Sequence, residues 1–139
     1  MIPDTPANPT ALLPIESSRN RVRAMFAGHV IADSSDVLVL RLAGRRPMYF
    51  FPQEDVEIGY LGETRETATD LHVGQGRCYT WAMEGEIVER AACIFDETRP
   101  GAEALAERIW LSEDVFEIYE LTAEDLAVAP RAARAHKTA

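Results

Sequence analysis

Asp33 and Ser34 stand together at the end of the run VIADSS, where a carboxylate and a hydroxyl could hold a substrate's hydroxyl or amine and Asp33 could serve as a general base. The same side chains also cap turns by bonding to nearby backbone N–H groups, and DSSD (33–36) is itself a turn signal, which favours capping. Glu54 and Asp55 could work as acid and base, or join Asp33 around a hard metal ion. Neighbouring carboxylates on one helical turn point apart, however, and suit the positive end of its dipole. His72 is by type a base or a ligand, yet a lone histidine in a polar stretch with no second ligand nearby reads as a surface residue. Tyr49, Phe51, Tyr79 and Trp81 alternate along two runs and form either an apolar pocket wall or packed core, the simpler reading. Cys78 and Cys93 would need a lowered pKa to act as nucleophiles, and neither has a basic neighbour on its own face, so both read as buried, reduced thiols.

The elements that must position these groups are short and extended. RVRAMFA and VIADSS flank Gly28-His29 as a hairpin; VLVLRL (37–42) is a nearly unbroken apolar run and reads as a central strand. MYFF (48–51) is a further strand ended by Pro52, which opens one helical turn through Glu54 and Asp55. Residues 64–73, with three threonines, suit a polar edge strand. The clearest hairpin joins RCYTWAM (77–83) to EIVERAACIF (86–95) across Glu84-Gly85. A regular register sets Tyr79 opposite Arg90, Trp81 opposite Val88, Cys78 opposite Ala91 and Cys93 opposite Gly76, leaving the two sulfurs diagonal. Arg90 would then add a cation to the aromatic row. Gly74-Gln75-Gly76 has no helix after it and so reads as a bulge or turn, not a phosphate loop.

Ala102, Leu105, Ala106 and Ile109 recur at helical spacing, which predicts one short amphipathic helix over 101–108, opened by Thr98 and Pro100. RIWLS (108–112) and VFEIYE (115–120) read as two closing strands across Ser112-Glu113-Asp114, and 122–129 as a last helical turn stopped by Pro130. The expected organisation is a proline-rich arm over 1–20, extended and without a backbone ladder to about residue 14, a mainly β domain over 21–129, and a basic disordered tail over 130–139.

With 139 residues, 47% apolar and 27% charged, the chain has the length and composition of one globular domain. Fourteen basic against 23 acidic residues give a net charge of -9, the wrong sign for a nucleic-acid or anionic-membrane partner. No apolar run is long enough for a membrane span, the N-terminus has no signal-peptide pattern, and two cysteines make no disulfide framework, so a cytoplasmic protein is expected. No metal or cofactor motif is present, and none is expected to bind.

Four segments, VRAMFAGHVIADS (22–34), RPMYFFPQEDVEIGYL (46–61), GQGRCYTW (74–81) leading to EIVERAACIF, and IWLSEDVFEIYE (109–120), resemble in order and spacing the domain-of-unknown-function 427 family, found mostly in bacteria and in some fungi. The resemblance implies a compact, mainly antiparallel β fold of the β-tent kind, a twisted sandwich, often dimeric. Two departures stand out. Where the family often has Cys-Pro-x-Lys-Gly, this chain has His72-Val73-Gly74-Gln75-Gly76, and where it often has Ala-Trp, this chain has Ala92-Cys93. A shared chemistry that used that Cys or Lys would be lost or altered here.

Three functions follow as expectations. The first is a small-molecule or peptide-binding domain with a pocket between sheets, lined by Tyr49, Phe51, Tyr79 and Trp81, with Asp33, Ser34, Asp55, His72 and Arg90 as polar contacts. The second is an enzyme on the same pocket, with Asp33 or Asp55 as base and Ser34 or His72 assisting. The third is an interaction protein that forms a homodimer through the arm or an edge strand.

Overall fold

Turn formers cut this chain into short extended runs, and the alternation within each run decides which sheet face it fills. A computed structural model describes residues 13–122 and shows a mainly β protein of two antiparallel sheets. The larger sheet runs in the order β1 (Ile15–Ser17), β4 (Leu38–Leu40), β5 (Met48–Phe51), β9 (Ile109–Leu111), β8 (Glu86–Thr98), β7 (Gly74–Met83) and β6 (Leu61–Asp70). The smaller one has β10 (Glu117–Leu121), β2 (Arg21–Phe26) and β3 (His29–Ser34).

Both expected hairpins form. β2 turns into β3 through Ala27 and Gly28, at φ 51° and 83°, and β7 turns into β8 through Glu84 and Gly85, at φ 58° and 79°, as primed two-residue turns require. β4 is flanked on both sides, β6 is an edge, and Pro52 ends β5 just before a single 3-10 turn over Gln53–Asp55.

Apolar side chains fill two layers. Val22, Ala24 and Phe26 of β2 pack with Val39, Tyr49, Phe51, Trp81, Ile109 and Leu111 of the large sheet, closing the space between the sheets. Leu40, Met48, Phe50, Cys78, Cys93 and Phe95 point to the outer face of the large sheet, partly covered by Ala102 and Leu105. All four residues of β5 are buried because its alternate side chains enter both layers.

Several expectations are corrected. The helix over 101–108 is only a 3-10 turn, Glu103–Leu105. β8 runs on to Thr98, and the Glu107 N–H bonds back to the Phe95 carbonyl at 3.0 Å with Glu107 at φ 65°, so the chain returns to the sheet before a helix can propagate. Ala102 and Leu105 still bury their side chains completely. The arm drawn over 1–20 contains β1, which pairs with β4, so the folded part begins earlier than expected. The strands β9 and β10 do not pair with each other: Val115 and Phe116 N–H groups both reach the Ser112 carbonyl, and that turn sends β10 to the other sheet. The last helical turn, the basic tail and most of the arm lie outside the described residues. Among the described residues no helix is long and apolar enough to cross a membrane.

The long hairpin departs from its regular register. Trp81 faces Val88 as expected, but Glu89, Arg90 and Ala91 then lie opposite Thr80 alone, with Arg90 at φ 55°. Beyond this bulge Tyr79 faces Ala92 and Cys78 faces Cys93. The slip is two residues, so side chains keep their faces while their partners change. A second bulge leaves Asp96 unpaired between the Gly76–Phe95 and Gln75–Glu97 pairs, which agrees with the bulge reading of 74–76.

Candidate functional site

The sequence-predicted residues do not meet at one place. The Asp33 carboxylate is held by Arg21 (Nε–Oδ1 2.5 Å) and Arg23 (Nη2–Oδ2 2.9 Å), its neighbours on β2. Both carboxylate oxygens of Asp33 are thus taken up by guanidinium donors. Buried Ser34 accepts the Asp36 N–H at 2.9 Å on its Oγ, the turn-capping role. Asp55 sits half-buried on its 3-10 turn, and among the described residues no three acidic, histidine or cysteine side chains cluster to hold a metal ion. His72 donates its backbone N–H to Asp70 Oδ1 at 2.8 Å, and its ring Nδ1 is enclosed without a partner among the described residues.

Phe51 and Trp81 are fully buried between the sheets, where Tyr49 and Tyr79 also turn, so the four rings share one face as expected and serve there as core. Arg90 does not face Tyr79; its place in the bulge sends it to Glu66, with which it forms an ion pair, and its side chain is 74% exposed.

Tyr49 also has a polar role. Its hydroxyl donates to Glu120 Oε2 at 2.7 Å, which Arg41 Nη2 approaches at 3.3 Å, while Asn20 Nδ2 donates to Oε1 at 3.5 Å. This cluster ties β5 of the large sheet to β10 of the small one. The Tyr49 bond, helped by Asn20 and Arg41, outweighs partial burial and lowers the Glu120 carboxyl below its ordinary range; burial and the same bond raise the Tyr49 hydroxyl. A carboxyl lowered in the folded state stabilises above its unfolded pKa and loses that contribution as pH falls through its folded value. Glu120→Gln is therefore expected to cost about 1 kcal/mol at pH 7, and the difference from wild type to close as pH falls below about 4. Urea unfolding at a series of pH values reads both; a gap that stays constant into acid would show that the charge contributes nothing.

The chemistry that residue types alone did not assemble lies on the outer face of the large sheet. Cys78, Cys93, Trp110 and Phe50 are successive cross-strand partners over β7, β8, β9 and β5. Above them is a groove of about 490 Å³, floored by Cys78, Cys93, Met48, Phe95 and Trp110. At its rim Arg45 pairs with Asp70 at 3.1 Å and Arg90 with Glu66. Burial alone would raise the Asp70 carboxyl, but N–H groups of His72 and Val73 and the Arg45 guanidinium lower it. A side hollow of about 190 Å³ continues past Met48 and Trp110 toward Arg46 and Asp114, themselves paired at 2.9 Å.

Trp110 was visible in the sequence only as one apolar residue of a strand, and nothing local says that β9 lies between β8 and β5. Of the residues singled out from sequence as site candidates, Arg90 alone reaches this groove, together with the thiols read there as inert.

A search among curated proteins finds no match. The family scan does find one, and it covers both sheets from β1 to β10 and every residue of the groove. Because that match runs over residues 14–121, the chain belongs to the family described as a domain of unknown function (DUF427).

Proposed function

We propose that this protein is a small-molecule-binding β domain whose ligand lies in the groove over Cys78, Cys93 and Trp110. The observation that carries the reading is the groove's make-up: about 490 Å³, an apolar floor, and oppositely charged side chains paired along the rim. That volume is the size of an ordinary ligand site. Above the apolar floor the walls are polar, with eight of the fourteen lining residues polar or charged, which suits a ligand that is itself largely polar around an apolar body. Each rim charge is balanced by a neighbour, so the fitting ligand has an apolar, planar body for Trp110 and Phe95 and carries both an ammonium and a carboxylate, or neither. Binding is favoured over turnover because the proposed base, Asp33, is engaged by Arg21 and Arg23.

The two tryptophans make the test direct. Trp81 is buried in the core and Trp110 stands in the groove, so their indole N–H signals report separately. Titration of 15N-labelled protein with free aromatic and aliphatic amino acids at millimolar concentration is expected to move the Trp110 signal saturably and leave Trp81 in place. Native mass spectrometry of freshly purified protein then reads any retained ligand, and a second copy of the chain, from mass. No saturable shift together with a bare mass would sink the reading.

A further inference from the structure

We propose that Cys78 and Cys93 are a reversible dithiol–disulfide pair, oxidised by small hydroperoxides that enter through the groove on the outer face of the large sheet. The pairing does not rest on the ligand proposed for that groove, and a ligand seated there is expected to slow the oxidation.

Position makes the first part of the case. The two residues are direct partners across β7 and β8, and their Sγ atoms are 3.6 Å apart. Direct partners in an antiparallel pair have Cα atoms about 4.5 or 5.5 Å apart, and both separations lie within the window that a disulfide spans, roughly 4.4–6.8 Å. Side-chain rotation can close the remaining gap to a bond of about 2.05 Å without moving the strands. In the regular register the sulfurs would be diagonal; the bulge at Arg90 is what brings them together.

Access is the second part. Both cysteines are buried to all but 6% of their surface and both line the groove, the route by which a molecule the size of hydrogen peroxide would reach them. The hydrogen bonds set the order of events. Burial and the adjacent Cys78 push the Cys93 thiol up, so Cys93 keeps its proton and donates it toward Cys78 Sγ. Cys78 Sγ, which accepts from Cys93 and itself lies 3.6 Å from the Thr67 carbonyl, is assigned the first attack, with Cys93 as the resolving thiol.

Cys78 sulfur attacks the peroxide oxygen, the O–O bond breaks, the leaving oxygen takes a proton and departs as alcohol or water, and Cys78 becomes a sulfenic acid. Cys93 sulfur then attacks Cys78 sulfur, the S–O bond breaks, and the hydroxide leaves as water with the Cys93 proton. Two thiols have lost two electrons to one hydroperoxide, and an external dithiol returns them.

The chain has two cysteines, so the product is read without ambiguity. Full-length native protein is treated with hydrogen peroxide, quenched, denatured, alkylated with iodoacetamide and weighed. The expected product is a monomer lighter than the reduced chain by about 2 Da, resistant to alkylation, and restored by dithiothreitol. Two alkylated thiols after treatment, a disulfide-linked dimer, or sulfinic acid without a disulfide would each overturn the proposal. In Cys93→Ser, dimedone is expected to trap a sulfenic acid at Cys78, while Cys78→Ser reacts about tenfold more slowly. Equal rates in the two variants would overturn the assigned order.

Discussion

Trp81→Ala is expected to lower the stability of the folded state by about 3–5 kcal/mol, the range for emptying a buried indole site. Trp81 has no exposed surface, and its ring meets Phe116 edge-on at 5.2 Å and 88°, Tyr60 at 5.3 Å and Phe26 at 6.3 Å. Phe26 belongs to β2 and Phe116 to the approach of β10, so one side chain of the large sheet packs against two elements of the small one. Trp81→Phe is expected to cost far less, under about 1.5 kcal/mol, since it preserves most of the ring contact. It also removes a buried indole N–H that has no hydrogen-bond partner among the described residues. Leaving such a donor unpaired costs about 1–3 kcal/mol, so its removal offsets part of the lost volume. Urea unfolding followed by far-ultraviolet circular dichroism compares the three proteins. A loss below about 1 kcal/mol for the alanine variant would mean that this indole does not seal the space between the sheets.

Gly76→Ala is expected to cost about 3 kcal/mol for a different reason. A Cβ at this position would lie 1.9 Å from the Ile94 carbonyl oxygen and 2.6 Å from Phe95 Cα. Both atoms are backbone of β8, which cannot move aside as a flexible side chain would. The close approach comes from the bulge at Asp96, where β8 carries one residue more than β7. Gly85→Ala at the tip of the same hairpin is the control. Its added Cβ meets nothing within 4 Å, so only the positive φ of 79° opposes it, at about 1 kcal/mol. Equal losses for the two variants would show that strand approach is not what requires glycine at 76.

The contrast between these glycines also shows what the sequence could and could not reveal. Gly28 and Gly85 announced their hairpins because a two-residue turn needs positive φ and glycine supplies it. The alternation of Tyr49 with Phe51 and of Tyr79 with Trp81 sent these rings to one face, and period two survives any even slip of register. The bulge at Arg90 gave no warning, because a non-glycine residue at positive φ carries no local signature. Without that bulge the thiols could not be paired, and without the long-range order β5-β9-β8 the indole of Trp110 could not be set beside them. The Tyr49–Glu120 bond was hidden for the same reason, since its partners lie on strands of different sheets. Helical spacing over 102–109 misled because Ala102 and Leu105 are buried equally well by one tight turn against the outer face, and Ile109 belongs to β9.

β5 carries a last consequence. Its four residues are buried on both sides, Tyr49 and Phe51 toward the small sheet, Met48 and Phe50 toward the groove face. Neither apolar layer can therefore open without stripping contacts from the other through this strand. The two layers are thus expected to melt in one cooperative event instead of as separable units, which a single coincident transition by near- and far-ultraviolet circular dichroism would read.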